Sequence, residues 1–228
     1  MVDIGVFATD HDLHFDSMDA LVSSLATVEA LERDGTHAKP GRLLEEAYVT
    51  KGLFHWLALG SGSLFARTQY ALRNRNRKGQ YFTRDSAAIA LACREVDLQY
   101  IDPVFLDALD KSVCQFNSAV DLGSGSGERL MQILDRFPGS TGIGIDTAGP
   151  ANRCAKADAV RRGYDHRLTF VEGDARDLSY QEELSQVDLL TSFLMGHDFW
   201  PRQKCIATLW NLRNIFPNVQ RFFLCDTN

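Results

Sequence analysis

The run Val120-Asp121-Leu122-Gly123-Ser124-Gly125-Ser126-Gly127-Glu128 constrains the fold of this chain more than any other segment. Three glycines at alternate positions allow a tight turn and let a ligand lie against bare backbone amides. The surroundings of the loop sharpen its meaning. Residues 119–122 form a short β run, and 128–137 carry Leu130, Ile133, Leu134 and Phe137 at helical spacing until Pro138-Gly139 stops them. Strand patterns then recur over 141–145, 168–172, 187–194 and 221–225, with helical ones over 151–162 and 202–216 between them. Such alternation predicts right-handed βαβ units: an α/β, Rossmann-like parallel open sheet with its ligand crevice at the strands' carboxyl ends. Asp146 closes the second strand 23 residues after Gly123. That is close to the ~20 expected of a carboxylate that bonds ribose hydroxyls, so the expected ligand is nucleotide-like.

A compositional break near residue 116 separates this pattern from an N-terminal region that reads as α-helical. Asp16 would cap a helix with Leu21, Leu25, Val28 and Leu31 on one face, ending at Gly35, and further helices are predicted over 42–59, 86–95 and 103–116. The expected organisation is a helical region, 1–116, that covers substrate and mediates a homodimer, followed by a ligand-binding domain, 117–228. Two polar clusters stand out in the first half. Asp10-His11-Asp12-Leu13-His14-Phe15-Asp16 has metal-ligand residue types, but no partner follows at a recognisable spacing, so it reads as a flexible polar tail. The basic run from Arg73 to Lys78 reads as a solvated loop, because no second basic cluster accompanies it.

Charge narrows the partners. The net charge of −6 is the wrong sign for a chain whose main task is gripping phosphate backbones, so no nucleic-acid partner is expected. Five cysteines without C-x-x-C or zinc spacing read as reduced thiols of a cytoplasmic protein. No basic-then-apolar leader opens the sequence and no apolar run approaches the ~18 residues of a span, so no membrane partner is expected either.

The loop itself discriminates between nucleotide families. A dinucleotide fingerprint starting at Gly123 needs glycine where Glu128 stands, and the G-K-[ST] ending of a Walker A loop is missing. The segment resembles the first motif of class I S-adenosyl-L-methionine-dependent methyltransferases, acidic-x-G-x-G-x-G. The resemblance continues in register through Gly144-Ile145-Asp146, Gly173-Asp174-Ala175 and Val187-Asp188-Leu189-Leu190, covering about residues 118 to 226. It implies that Gly123, Gly125 and Gly127 admit the methionine and ribose moieties, and that Asp121 helps bind the ammonium end directly or through water. Asp146 would accept from both ribose hydroxyls, Asp174 from the adenine amino group with Ala175 nearby, and Phe193 would also line the cofactor. Methyl transfer to a small-molecule acceptor is the implied activity.

The acceptor should lie after the fourth strand, along Ser192 to Pro201. The Asn/Asp-Pro-Pro-Tyr/Phe signature common in nucleic-acid and amide-nitrogen methyltransferases is absent there. Met195-Gly-His-Asp-Phe-Trp-Pro-Arg202 is similar to the bacterial α-keto acid C-methyltransferases, the 2-ketoarginine and phenylpyruvate type, as is Ala47 to Phe54. That resemblance implies methylation of the β-carbon of an α-keto acid through an enolate. A divalent or iron ion would stabilise the enolate, with His197 as ligand, or as base if no metal is used. An O-methyltransferase, or a cofactor-binding remnant without turnover, are the alternatives. A catalytic metal needs about three protein ligands, and the family's second histidine would fall beyond residue 228. The class also completes its sheet with two more strands, so this chain is expected to lack them and to leave Phe222, Phe223 and Leu224 on an uncovered edge, unless a second chain covers it.

Overall fold

In the first unit, Met1–Leu53, two side-chain caps set the course of the chain. After strand β1 (Val2–Asp3), Asp3 accepts from the Val6 amide and starts helix α1 (Ile4–Asp10). The His14 ring accepts from the Ser17 amide and starts α2 (Phe15–Thr27). The stretch expected to be a flexible polar tail is therefore the end of one helix, a turn and the cap of the next, with Ile4 and Ala8 buried. The helix expected to run to Gly35 ends at Thr27. Beyond it, β2 (Leu31–Asp34) and β3 (His37–Pro40) form a hairpin, and β1 joins β3 to give a small antiparallel sheet in the order β1-β3-β2. Gly35, at φ 58°, supplies the left-handed residue that a two-residue hairpin loop requires. Opposite Glu32, Lys39 makes a 2.7 Å ion pair. Helix α3 (Leu44–Phe54) closes the unit.

The structure, a computed structural model, describes residues 1–77 and 84–226; Lys78 of the basic run and residues 227–228 lie outside them. The second unit runs from Phe54 onward. The single helix expected over 42–59 gives way after α3 to a π-helical turn, His55–Gly60, in which a Cβ on Gly60 would lie 2.4 Å from Ile89. Short helices α4 (Gly62–Ala66) and α5 (Thr68–Ala71) follow, and part of the basic run forms a single 3-10 turn, Asn74–Asn76. Asp85 caps α6 (Ser86–Tyr100), which runs five residues past its expected end, and Pro103 occupies the first turn of α7 (Asp102–Ser112).

From residue 118 the strands and longer helices alternate as read: β4 (Ser118–Leu122), α8 (Glu128–Arg136), β5 (Thr141–Asp146), α9 (Gly149–Arg161) and β6 (Leu168–Glu172), then, after a short helix not expected there, α10 (Glu182–Ser185), β7 (Leu189–Phe193), α11 (Arg202–Ile215) and β8 (Arg221–Cys225). The five strands are parallel in the order β6-β5-β4-β7-β8. The order reverses at β4, which places the topological switch point, and the crevice it opens, at the carboxyl ends of β4, β5 and β7. Both faces of β4 are covered, as its apolar composition demands. Ala119 packs with Phe105, Leu109, Leu130 and Leu134 on one side, while Val120 and Leu122 pack with Leu190, Leu212 and Ile215 on the other.

Candidate functional site

The glycine loop leaves β4 through three left-handed residues, Gly123, Gly125 and Gly127, at φ 73°, 51° and 73°. Its amides are not bare. Gly123 and Ser124 donate to the Ile145 carbonyl at 2.8 and 3.2 Å, and Gly125 donates to Asp146 Oδ2 at 2.9 Å. The loop is thus pinned to the end of β5, and what the glycines provide is left-handed backbone and missing side chains. A Cβ on Gly123 would stand 2.6 Å from Met195 Sδ, and one on Gly127 would stand 2.4 Å from the Phe170 ring. Gly127 therefore serves helix-to-strand packing, whereas Gly123 faces a side chain from the loop after β7.

Asp121 and Asp146 close the same end of the sheet from adjacent strands. Asp146 accepts from Gly125 N through Oδ2 and from Ala148 N through Oδ1, which fixes its carboxylate beside the loop with lone pairs to spare. Asp121 is fully buried. Thr191 on β7 donates to its Oδ1 at 2.7 Å, and its Oδ2 has no hydrogen-bond partner among the described residues. Burial pushes its carboxyl up to about 6, against the opposing pull of the Arg129 guanidinium 3.8 Å away.

The other expected cofactor residues are more occupied. Arg176 holds both oxygens of Asp174 at 2.6 to 3.1 Å, and this hydrogen-bonded guanidinium keeps the Asp174 carboxyl below the usual range. Ala175 is buried in the core layer that includes Ile145 and Leu190. The Phe193 ring is also a core group, edge-on to Phe105 at 4.9 Å and with the Arg129 guanidinium 3.7 Å from its centroid.

His197 stands apart, exposed on a 3-10 turn, Gly196–Phe199, that follows β7 through Leu194 in the left-handed region. Its Nδ1 is 3.8 Å from Asp226 Oδ1 at the end of β8, and its Nε2 is 4.0 Å from Asp198 Oδ2. A Cβ on Gly196 would meet Asp226 Oδ2 at 2.4 Å, so glycine at 196 is what lets the two loops close on each other. Among the described residues no group of three His, Cys, Asp or Glu could hold a metal ion, and His197 has no such set around it. The donor set expected for a divalent or iron ion does not fit here. Sequence reasoning missed Arg129, Thr191, Arg176 and Asp226, each of which touches or flanks an expected site residue.

Against known proteins, residues 119–214 match the family described as "Methyltransferase domain". Over 225 residues the chain is 55% identical to methyltransferase ungE′ of Aspergillus campestris, covering 99% of this chain and 66% of that protein, so it spans just under two thirds of that relative's length. It is 35% identical over 95 residues to a trans-aconitate 2-methyltransferase of Deinococcus radiodurans, 42% of this chain and 33% of that one. Among solved structures, PigF with SAH aligns over 98% of this chain and 70% of its own with a TM-score of 0.64 at 20% identity. Human N-acetylserotonin methyltransferase in complex with SAM aligns over 94% and 66% at 0.62 and 18% identity, and at such identities these two show the fold. Parallel sheet, glycine loop and matched family together give the chain a methyltransferase domain over residues 119–214, on the Rossmann-like fold of class I methyltransferases. Among the described residues no helix is long and apolar enough to cross a membrane.

Proposed function

We propose that this chain transfers a methyl group from S-adenosylmethionine to a small molecule at an atom that must lose a proton, in the first place a hydroxyl oxygen. The observation that carries this reading is His197 at the carboxyl end of β7 with Asp226 3.8 Å from its Nδ1. A carboxylate on that side leaves Nε2 to take a proton from the acceptor. The residues at the end of β4 and β5 fit the cofactor. Asp121 has an unpartnered buried oxygen suited to an ammonium group, and Asp146 has remaining lone pairs suited to a ribose diol. Asp174, shared with Arg176, would accept from the adenine amino group. When bound, the cofactor supplies a methyl group already activated on a sulfonium. The protein's part is then to hold the acceptor in line with it and to remove one proton.

The second reading, methylation at the β-carbon of an α-keto acid, is favoured by the run from Met195 to Arg202. It would use the same base on an acidic C–H. A methyl-transfer assay over a panel of phenols, hydroxylated metabolites and α-keto acids, run with and without a chelator, separates the two. Turnover of hydroxyl acceptors that survives the chelator supports the first reading. Turnover confined to keto acids supports the second. Binding of S-adenosylhomocysteine without turnover of any acceptor would leave only a cofactor-binding domain.

A further inference from the structure

Asp121 belongs to a buried cluster with an unbalanced charge. Arg129 on α8 donates through Nη2 to Asp97 Oδ2 on α6 at 2.6 Å, and the same nitrogen lies 3.6 Å from Asp102 Oδ1 on α7. Its Nη1 lies 3.8 Å from Asp121 Oδ2 on β4. The guanidinium stacks on Phe193, Gln132 donates to Asp102 Oδ2 at 2.8 Å, and Thr191 holds Asp121 Oδ1. All four charged side chains are at least 86% buried. Three carboxyl groups therefore share one guanidinium out of water. Asp97 Oδ1, Asp102 Oδ1 and Asp121 Oδ2 have no hydrogen-bond partner among the described residues, and neither has Arg129 Nε.

Carboxylates that share a single counter-charge out of water resist ionising together, so at mildly acidic pH the cluster holds a proton. Two of the four charged groups are acids beyond what one arginine can offset, and unpaired buried charge is costly. We propose that Arg129, Asp97 and Asp102 are positioning residues that set the charge of Asp121. At mildly acidic pH the cluster keeps a proton until the cofactor's ammonium group arrives at Asp121, and cofactor binding releases that proton to solvent. This rests on the reading of Asp121 as the ammonium acceptor. The arriving cation supplies the positive charge the cluster lacks, so it takes over the role of the proton.

Other charged groups act on Asp121 in both directions, and Arg129 is the strongest of them. Asp97 on α6 and Asp146 on β5 both raise its affinity for a proton, and Arg129 lowers it. Cys93, also on α6, is held as a neutral thiol by burial and by Asp97. Burial likewise pushes the Asp97 carboxyl up, so the proton is shared within the cluster and its release is a property of the group.

The test is calorimetric titration of the full chain with S-adenosylhomocysteine, which carries the ammonium group but cannot turn over. It is run at pH 5 and pH 7.5, each in two buffers of different ionisation heat. Expected are release of close to one proton at pH 5, almost none at pH 7.5, and affinity roughly tenfold weaker at the lower pH. Asp121→Asn should bind without proton release at either pH. Asp97→Asn, which removes a like charge, should move the midpoint of the affinity profile to lower pH and tighten binding at pH 5. His197→Gln should keep the wild-type profile, which excludes that histidine as the source of the proton. Flat wild-type affinity with no proton exchange overturns the inference while leaving the cofactor reading intact. So does a profile unchanged in both aspartate variants. Absence of binding at either pH overturns both.

Discussion

The ends of β4 and β7 differ in one physical respect that organises the whole site. Asp121, at the end of β4, is out of water, held by Thr191 and surrounded by Asp97, Asp102 and Arg129. His197, just past the end of β7, is 68% exposed, and its two carboxylate neighbours stand at 3.8 and 4.0 Å, beyond hydrogen-bond length. In the dry end, electrostatic interactions are strong and each group constrains the others. In the wet end they are screened, and the ring is free to meet an acceptor. On the proposed reading, the cofactor half is built into the core and the acceptor half is laid over it on loops, where exchange of one substrate for another would cost the fold least.

The largest expected effect lies in the wet end and concerns rate. His197→Gln should lower kcat by ~10² to 10⁴ with the proposed acceptor, while affinity for S-adenosylhomocysteine and thermal stability stay at wild-type values. Equal loss of cofactor affinity would show that the two ends are not separable. The corresponding substitution in the dry end should do the reverse. Arg129→Met leaves three buried carboxyl groups without their only guanidinium and should cost ~3 to 5 kcal/mol of stability, measured by denaturant unfolding. Adding Asp97→Asn should restore part of that loss, because the two residues share one hydrogen-bonded pair. Independent, additive effects would break the picture of a single cluster.

The dry end also has a pH signature of its own. The Asp121 carboxyl is raised from 3.8 to about 6 in the folded chain, so between those values the folded state holds a proton that the unfolded state has lost. Its contribution to stability is therefore fully present below about 4 and is lost as pH rises through about 6. The raised Asp97 carboxyl acts in the same sense. Asp3, Asp158 and Asp174, whose carboxyls are lowered, act in the opposite sense, with stability lost as pH falls. Comparing wild type with Asp121→Asn isolates the first effect. The stability difference between them should shift by roughly 3 kcal/mol at most between pH 4 and pH 7, with wild type losing ground as pH rises. A difference that is constant with pH would remove the charge argument from the cluster.

The same contrast explains what was legible in the sequence. The β4–loop–α8 segment and the four strand ends that follow were readable because strand period, helix period and glycine spacing are local properties. The loop's role was only half readable: glycine at 127 is required by the Phe170 ring, 43 residues away, and the loop amides are engaged with Ile145 and Asp146. Arg129 was invisible because an arginine in the first turn of a helix ordinarily reads as a solvated residue. Its burial depends on Asp97 and Asp102, 32 and 27 positions earlier on other helices. In the first unit, Leu31 continued the helical spacing and masked the Asp34-Gly35 signal of a hairpin. His197 was readable as a residue type in a telling place. Its neighbour Asp226 was not, because only the parallel pairing of β7 with β8 brings the two together.

Asp226 gives the smallest and most discriminating of the expected effects. At 3.8 Å from Nδ1 it cannot act on His197 by a hydrogen bond of normal length, and with the ring exposed its influence is that of a screened charge. Asp226→Asn should therefore lower kcat by about tenfold, well short of the loss in His197→Gln, with KM unchanged. A merely structural contact with Gly196 would change KM or stability and leave kcat in place. A loss of kcat as large as that of His197→Gln would mean that the two side chains draw together when acceptor binds, and the wet end would then be drier in the working enzyme than its exposed histidine suggests.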